Sequence, residues 1–393
     1  MRIPLSAPDV QEEEIAAVAA VLRTPHLSLG PKLEEFERNI ARYIGAGNAI
    51  GVSSGTAGLH LCMRALGIGA GDEVIVPSFT FVAVANVLRY EHAVPVFVDI
   101  EPKTLNLDAG RIEAAITPRT KAILVVHTFG CPADLAEILE IARHHHLYLV
   151  EDACEAIGAE YHGRKVGVHG DAGVFAFYPN KQITTGEGGA VVTDDPRLAA
   201  RVRELRNQGR SDTDDWFQHS ELGYNYRISE MNCALGIGQL NRIEAILARR
   251  EEIARKYGEH LHDHKDLSLP ALTVARRRIS WFVYVVRLAE RFSQIQRDWI
   301  LKEMNSRGIG CGRYFAPIHL QPAYRDIVAS RDDLKVTEFE AARCLALPFF
   351  NRLEEVQIKE VCENLGELVE RAEKLVPERK AASGGKMRRS IGI

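Results

Sequence analysis

Lys181 is the residue whose surroundings most clearly suggest chemistry. The segment 175–189 runs from an aromatic stretch through Lys181 into a loop with three glycines, where the backbone can approach another group closely. A lone lysine is usually a solvated surface charge. In a partly apolar pocket, however, the pKa of its amine falls and the amine can form a Schiff base.

Two other segments carry groups that would complement such a lysine. Residues 53–58 form a small, hydroxyl- and glycine-rich turn before a predicted helix, where free N–H groups can bind a phosphate. Plain helix capping is the alternative there. Glu151 and Asp152 end a predicted strand, where ligands of open α/β sheets bind, and side-chain alternation lets one of them face a crevice. The alternative for Asp152 is a helix cap.

Together these groups match the needs of pyridoxal phosphate. That cofactor needs its phosphate held, a carboxylate at its pyridine nitrogen and a lysine imine at its aldehyde carbon. The turn, Asp152 and Lys181 occur in that order along the chain. The sequence therefore predicts pyridoxal phosphate as the cofactor.

The elements that would position these groups alternate between strand and helix. Strands are predicted at 49–52, 73–77, 95–99, 121–127, 147–151, 173–178 and 189–193. Helices are predicted at 56–66 after a cap-like Ser53-Ser54, at 134–146 with Asp134 as cap, and at 196–207 with a proline in the first turn. This alternation predicts an α/β fold with a mainly parallel sheet.

The pattern changes after Ser229, which is predicted to cap one long helix over 229–260. Strands at 281–288, 308–315 and 344–350 and helices at 294–307 and 354–375 then indicate a smaller α+β domain. The predicted domains are a large domain over 1–250, a small domain over 251–375 and a basic, disordered tail over 376–393.

Composition limits the function further. The 393 residues are 46% hydrophobic and 26% charged with a net charge of −4, which excludes wholesale disorder and a global basic field for nucleic acid. The basic tail is interpreted as a solvated end, with a nucleic-acid arm as the alternative. Seven dispersed cysteines, no signal-peptide pattern and no long apolar run predict a cytoplasmic protein without a membrane segment. The clustered histidines at 144–146 and 260–264 are interpreted as surface residues, and no metal site is predicted.

The chain resembles the DegT/DnrJ/EryC1/StrS family of sugar aminotransferases, which have the aspartate-aminotransferase fold (fold type I). The resemblance covers residues 1–375 and lies in the segments 53–57, 76–81, 151–158, 175–189, 223–229 and 314–324. It implies a large domain with a mainly parallel seven-stranded sheet and a smaller α+β C-terminal domain. The segments 151–158 and 177–189 look most like enzymes that aminate C4 of a nucleotide-linked 4-keto-6-deoxyhexose, such as perosamine synthases.

The resemblance also implies roles for individual residues. Lys181 would form the imine and carry the proton, and Asp152 would pair with the pyridine nitrogen. Phe81 would stack on the cofactor, and Gly55 and Thr56 would hold its phosphate. Asn225 would reach the phosphate in a neighbouring subunit, which implies a homodimer with shared active sites. Tyr314 and His319 would line the sugar-nucleotide pocket.

Two positions depart from the family pattern. Glu155 stands where many relatives have a glutamine bonded to the phenolic oxygen of the cofactor, so it must be protonated or act through water or another group. Ala176 stands where many relatives have a serine that bonds the phosphate. The outer contacts of the site therefore differ from those of many relatives.

The predicted reaction is amino transfer from an amino acid, with L-glutamate as the expected donor, to a nucleotide-linked keto sugar. Lys181 argues against the dehydratase branch of the family, which has a histidine at that position. Two alternatives stay open: a 3-keto sugar or keto-inositol as acceptor, and a non-catalytic regulatory protein that binds the cofactor.

Overall fold

The computed structural model describes residues 2–211, 218–324 and 333–374. Its strands are, in chain order, β1 (Asn48–Val52), β2 (Glu73–Pro77), β3 (Val94–Val98), β4 (Thr120–Val126), β5 (Tyr148–Asp152), β6 (Glu160–Tyr161), β7 (Arg164–Lys165), β8 (Ala172–Ala176), β9 (Gly189–Thr193), β10 (Leu267–Ser268), β11 (Arg277–Arg278), β12 (Tyr284–Leu288) and β13 (Cys344–Leu347).

Seven of these strands form one sheet in the order β1-β9-β8-β5-β4-β2-β3. Strand β9 runs antiparallel to both of its neighbours, and the pairs from β8 to β3 are parallel. All seven predicted strands are present, each within two residues of its predicted limits. Most of their residues are buried, as expected when helices cover both faces of a sheet. The predicted mainly parallel α/β fold is therefore confirmed.

The helices are α1 (Glu12–Val21), α2 (Pro31–Ile44), α3 (Gly55–Ala65), α4 (Ala83–Tyr90), α5 (Ile112–Ala115), α6 (Leu135–His144), α7 (Pro196–Arg206), α8 (Glu230–Asn241), α9 (Ile243–Leu261), α10 (Gln294–Ser306), α11 (Lys335–Ala341) and α12 (Glu355–Glu373). Ser54 and Ser229 cap α3 and α8 through their side chains, as predicted. Asp134 does not cap α6, because its carboxylate instead accepts hydrogen bonds from Tyr161 and Arg277.

The predicted long helix over 229–260 is wrong as one element. It is two helices, α8 and α9, interrupted at Arg242, whose backbone leaves the helical region with φ −116° and ψ 18°. The Arg242 guanidinium forms ion pairs with Asp9 and Glu14 of the N-terminal segment. These ion pairs join the break to the N-terminal segment.

The C-terminal part contains the sheet β10-β12-β13 with α10 and α12 packed against each other. The predicted strands at 281–288 and 344–350 are shorter, as β12 and β13. The predicted strand at 308–315 is wrong: Ile309 and Gly312 each make one isolated bridge, to Ile3 and Ala346, so no continuous ladder forms. A smaller α+β part is thus present, while the predicted domain limits at 250 and 375 stay predictions.

Other predictions concern features outside the sheets. All seven cysteines are free, and five of them are buried. Within the described ranges, no helix is long and apolar enough to cross a membrane. The predicted disordered tail lies outside the described residues.

Candidate active site

Lys181 lies in the loop between β8 and β9, as the sequence predicts. Its backbone N–H donates to the Tyr178 carbonyl at 2.9 Å, and Thr185 N–H closes the loop onto the Phe177 carbonyl at 2.9 Å. The Lys181 amine is 3.7 Å from a carboxylate oxygen of Glu155 and 4.1 Å from the centre of the Phe282 ring. Only 14% of the lysine side chain is exposed, so its amine faces a partly apolar pocket.

Glu155 is the acidic partner of this lysine. Its Oε2 accepts a hydrogen bond from the Phe129 N–H at 2.9 Å, while Oε1 faces Lys181. Burial raises the pKa of Glu155, and the positive charge of Lys181 opposes this effect. A raised pKa favours the protonated carboxyl that can donate a hydrogen bond as a glutamine side chain does.

Asp152 and Glu151 point to opposite sides of β5, as side-chain alternation predicts. Asp152 ends the strand and accepts a hydrogen bond from the Cys154 N–H at 3.0 Å. The following residues form turns, so the interpretation of Asp152 as a helix cap is wrong. Glu151 is fully buried and accepts hydrogen bonds from His127 at 3.0 Å and from the Gly167 N–H at 2.7 Å.

Glu151 makes a testable contribution to stability. Burial would raise its pKa, but hydrogen bonds from His127 and from backbone N–H groups outweigh this and hold the pKa below its usual value. Glu151→Gln is expected to lower the free energy of unfolding by about 2 kcal/mol at neutral pH. Because a carboxylate with a lowered pKa stabilises the fold above its unfolded pKa, the difference between the two proteins should shrink below about pH 4. Urea unfolding across this range measures it, and a constant difference would contradict the assignment.

The predicted phosphate turn begins α3 beside the carboxyl end of β8. Ser54 Oγ accepts a hydrogen bond from the Ala57 N–H at 3.0 Å. The first N–H groups of a helix have no carbonyl partner within the helix, so those at the start of α3 can donate to a ligand at the turn. A Cβ added at Gly55 would lie 2.7 Å from Ala176 Cβ and 2.8 Å from Cys154 Sγ. The turn therefore packs closely on the strand end and on the segment after Asp152, and this close approach requires glycine.

Gly55→Ala tests that packing. The added methyl group must displace the turn, and we expect the dissociation constant for pyridoxal phosphate to rise about tenfold or more. Gly69→Ala is the matched control, because a Cβ there meets nothing within 4 Å. Absorbance titration of the apoprotein with the cofactor gives both constants. Equal affinities for the two variants would refute a role for the turn.

Two other predicted site residues, Tyr314 and Phe81, are aromatic. Tyr314 lies near Lys181. Its ring centre is 6.1 Å from that of Phe282 and 6.2 Å from that of Phe129. Phe81 follows β2 and is 60% exposed, which leaves its ring available for stacking.

His319 and Asn225 contact residues outside the lysine loop. The His319 Nδ1 lies 2.7 Å from Ser78 Oγ, at the turn after β2, and its Nε2 lies 3.2 Å from a Glu338 carboxylate oxygen. Asn225 is exposed in the segment before α8 and bridges to Asn207.

Sequence reasoning missed several neighbours of Lys181. Phe282 lies in the segment predicted as a strand, and its ring lies beneath the Lys181 amine. The apolar pattern of that segment does not distinguish Phe282 from its neighbours. Phe129 contacts Glu155 through its backbone N–H. Gln182 donates to the Glu155 carbonyl at 2.6 Å and to the Ser280 carbonyl at 3.0 Å, and so ties the lysine loop to the segment before Phe282.

The arrangement fits pyridoxal phosphate. A glycine-dependent turn offers N–H groups to a phosphate, a strand-end carboxylate and a lysine amine lie in the same region, and Asn180 Oδ1, beside Lys181, is buried without a hydrogen-bond partner. In the described part of the chain, no group of three or more histidine, cysteine or acidic residues could hold a metal ion.

Comparison with known proteins agrees with this geometry. The sequence model of the DegT/DnrJ/EryC1/StrS aminotransferase family matches residues 8–366. GDP-perosamine synthase from Caulobacter vibrioides is 41% identical over 370 residues, which cover 94% of this chain and 98% of that protein.

Solved structures are similar over nearly the whole chain. DesV of S. venezuelae has a TM-score of 0.86 and 38% identity, covering 94% of this chain and 99% of its own. Spr1654 from Streptococcus pneumoniae, solved in a PLP form, has a TM-score of 0.90 and 26% identity, covering 95% of this chain and 100% of its own.

Proposed function

Because the chain belongs to the DegT/DnrJ/EryC1/StrS aminotransferase family and is a pyridoxal-phosphate-dependent sugar aminotransferase, we propose that its acceptor is a nucleotide-linked 4-keto-6-deoxyhexose and its donor L-glutamate. The similarity to GDP-perosamine synthase over almost the full length of both chains supports this acceptor class. The observation that carries the proposal is the Lys181 amine in its pocket between Glu155 and Phe282.

Different residues of this chain have different roles in the proposed reaction. Pyridoxal phosphate, when bound, supplies an electron sink for the charge that forms at a carbon when its proton leaves. Lys181 would attach the cofactor through its amine and would then move the proton at the reacting carbon. Asp152 would pair with the pyridine nitrogen and keep it protonated.

The surrounding groups position and shield this chemistry. The N–H groups of the turn at Gly55 and Thr56 would bind the phosphate, and the Phe81 ring would stack on the cofactor. Glu155, whose pKa burial raises, would in its protonated form donate a hydrogen bond to the phenolic oxygen in place of the usual glutamine. Ala176 cannot provide a hydroxyl, so backbone groups contribute more of the phosphate contact than in relatives with serine.

We also propose a homodimer in which Asn225 reaches the phosphate in the site of the neighbouring copy. Its exposure on this chain supports that role, since the side chain is free to contact a second copy. The proposed location is the cytoplasm, where nucleotide-linked sugars are available.

Tyr314 and His319 are proposed to contact the sugar nucleotide. Tyr314 lies beside Phe282 and Phe129, on the border of the lysine pocket. His319 is held through Ser78, and its second nitrogen faces Glu338, whose side chain is 56% exposed and can be displaced by a ligand.

The test is a direct acceptor screen. The purified protein is incubated with L-glutamate and with GDP-, UDP- or dTDP-linked 4-keto-6-deoxyhexose, and in parallel with 3-keto sugars and a keto-inositol. Formation of 2-oxoglutarate and of the aminated product is followed by mass spectrometry. The proposal predicts turnover with at least one of these acceptors. Turnover only with 3-keto sugars or a keto-inositol would reject the acceptor class. Cofactor binding without any turnover would favour a regulatory protein.

A further inference from the structure

A second cluster of polar residues joins α3, the end of α4 and the segment before α8. His60 of α3 and Glu91, just after α4, are both buried, and His60 Nε2 is 2.7 Å from Glu91 Oε1. The same Glu91 oxygen accepts the Tyr224 hydroxyl at 3.0 Å, and the Tyr226 hydroxyl is 3.0 Å from His60 Nδ1. The His60–Glu91 pair therefore holds two tyrosines of one segment.

The aromatic rings of this cluster are also in contact with one another. Tyr224 and Tyr226 stack with centres 5.1 Å apart and an angle of 13° between their planes. The His60 ring lies 4.7 Å from Tyr224 and 5.8 Å from Tyr226, and Arg64 binds the second oxygen of Glu91 at 3.2 Å. Hydrogen bonds from His60 and Tyr224 outweigh the effect of burial and hold the pKa of Glu91 below its usual value.

The held segment is the one that carries Asn225. Tyr224 N–H donates to the Leu205 carbonyl at 2.7 Å and Tyr226 N–H to the Arg206 carbonyl at 3.1 Å, so the segment is extended along the end of α7. Because side chains alternate in an extended segment, Asn225 points away from the face that carries the two tyrosines, and it is exposed. Fixing the two tyrosines thus fixes the direction of the asparagine between them.

We propose that the His60–Glu91 pair is a positioning device that orients Asn225 for the active site of a neighbouring copy. This inference rests on the proposed role of Asn225 at the phosphate of that site. Hydrogen bonds specify direction, which apolar packing alone does not, and here they reach both tyrosines that flank the asparagine. His60 and Glu91 act through the tyrosines and touch neither cofactor nor substrate.

The first test compares cofactor affinity in single and double variants of the full chain. His60→Phe keeps an aromatic ring and removes both hydrogen bonds, and Tyr226→Phe removes one hydroxyl. We expect each variant to raise the dissociation constant for pyridoxal phosphate, with His60→Phe reaching about tenfold. Adding His60→Phe to Asn225→Ala should cause no further loss, because the pair acts only through Asn225. Additive losses would overturn the inference.

Failure of the inference differs from failure of the proposed function. If Asn225→Ala leaves the affinity unchanged, the proposed role of Asn225 is wrong. If Asn225→Ala weakens binding while His60→Phe and Tyr226→Phe do not, only the positioning role is wrong. Thermal unfolding of each apoprotein identifies a variant that weakens binding by losing its fold.

Mixed dimers provide the second test. In both, one chain carries Lys181→Ala, so that only the other chain attaches the cofactor through its lysine. His60→Phe is placed either on the chain with the intact lysine or on the chain with Lys181→Ala. The proposal predicts the weaker cofactor binding when His60→Phe lies on the Lys181→Ala chain, because that chain supplies Asn225 to the intact site. Equal binding in both dimers, or the opposite order, would refute it.

Discussion

Lys181→Ala is expected to reduce amino transfer by at least about 10⁴-fold, the largest effect of any single substitution in this chain. The lysine amine is expected both to attach the cofactor and to move the proton. Alanine has no side-chain atoms beyond Cβ, so the substitution removes both functions. Glu155 also lies at this amine, but its expected role is a different one, at the phenolic oxygen of the cofactor. The rate of 2-oxoglutarate formation from L-glutamate measures this loss.

Lys165→Ala is the matched control for that substitution. Lys165 pairs with Glu160 and lies over the Tyr43 ring in the same domain, outside the lysine pocket. It should keep nearly full activity, because an ion pair of this kind contributes about 1 kcal/mol or less. If Lys181→Ala retained more than a small fraction of the activity, another residue would have to carry the proton.

Asp152→Asn is expected to give the second largest loss, about 10³-fold in kcat. An amide cannot keep the pyridine nitrogen protonated, so the cofactor becomes a weaker electron sink. The cofactor should still bind through Lys181 and the phosphate turn, so the loss appears in kcat more than in cofactor affinity. Single-turnover rates at saturating L-glutamate, with cofactor content measured separately, test this separation.

The neighbouring acid provides the control for Asp152. Glu151→Gln changes a carboxylate on the opposite side of the same strand, where it binds His127 and the backbone of 167–170. It should lower stability while the folded enzyme keeps most of its kcat. If the two substitutions gave the same kinetic defect, the assignment of Asp152 to the pyridine nitrogen would be wrong.

The sheet and the caps of α3 and α8 could be predicted because their signals are local. Apolar runs of strand length and serines before helical patterns depend little on the rest of the chain. The break at Arg242 could not be predicted this way. The helical pattern of the segment continues across the break, and the partners of the Arg242 side chain, Asp9 and Glu14, are far away in sequence.

Two other errors, at 308–315 and at Asp134, have similar causes. The segment 308–315 has the residue types of a strand, but only two of its residues bridge to other segments. Asp134 has the sequence position of a helix cap, yet its carboxylate binds Tyr161 and Arg277 instead. In both cases tertiary partners overrode the local preference.

In the candidate site, too, some residues could be predicted from the sequence and others could not. Lys181, Asp152 and Gly55 could be found from the order of their motifs along the chain. Phe282 could not, because the contact between its ring and the Lys181 amine arises only when the C-terminal part packs against the lysine loop. The contact of Phe129 with Glu155 involves a backbone N–H, which no residue type reveals.

The central claim is that this chain carries an amino group from L-glutamate to a nucleotide-linked keto sugar through Lys181. The most direct measurement is the visible absorbance of the purified protein with bound pyridoxal phosphate, recorded first after adding L-glutamate and then after adding a nucleotide-linked 4-keto-6-deoxyhexose. We predict that glutamate bleaches the absorbance band and that the keto sugar restores it, while Lys181→Ala shows no such cycle. A band that glutamate leaves unchanged, or that bleaches and is not restored by any of the keto sugars, would contradict the account.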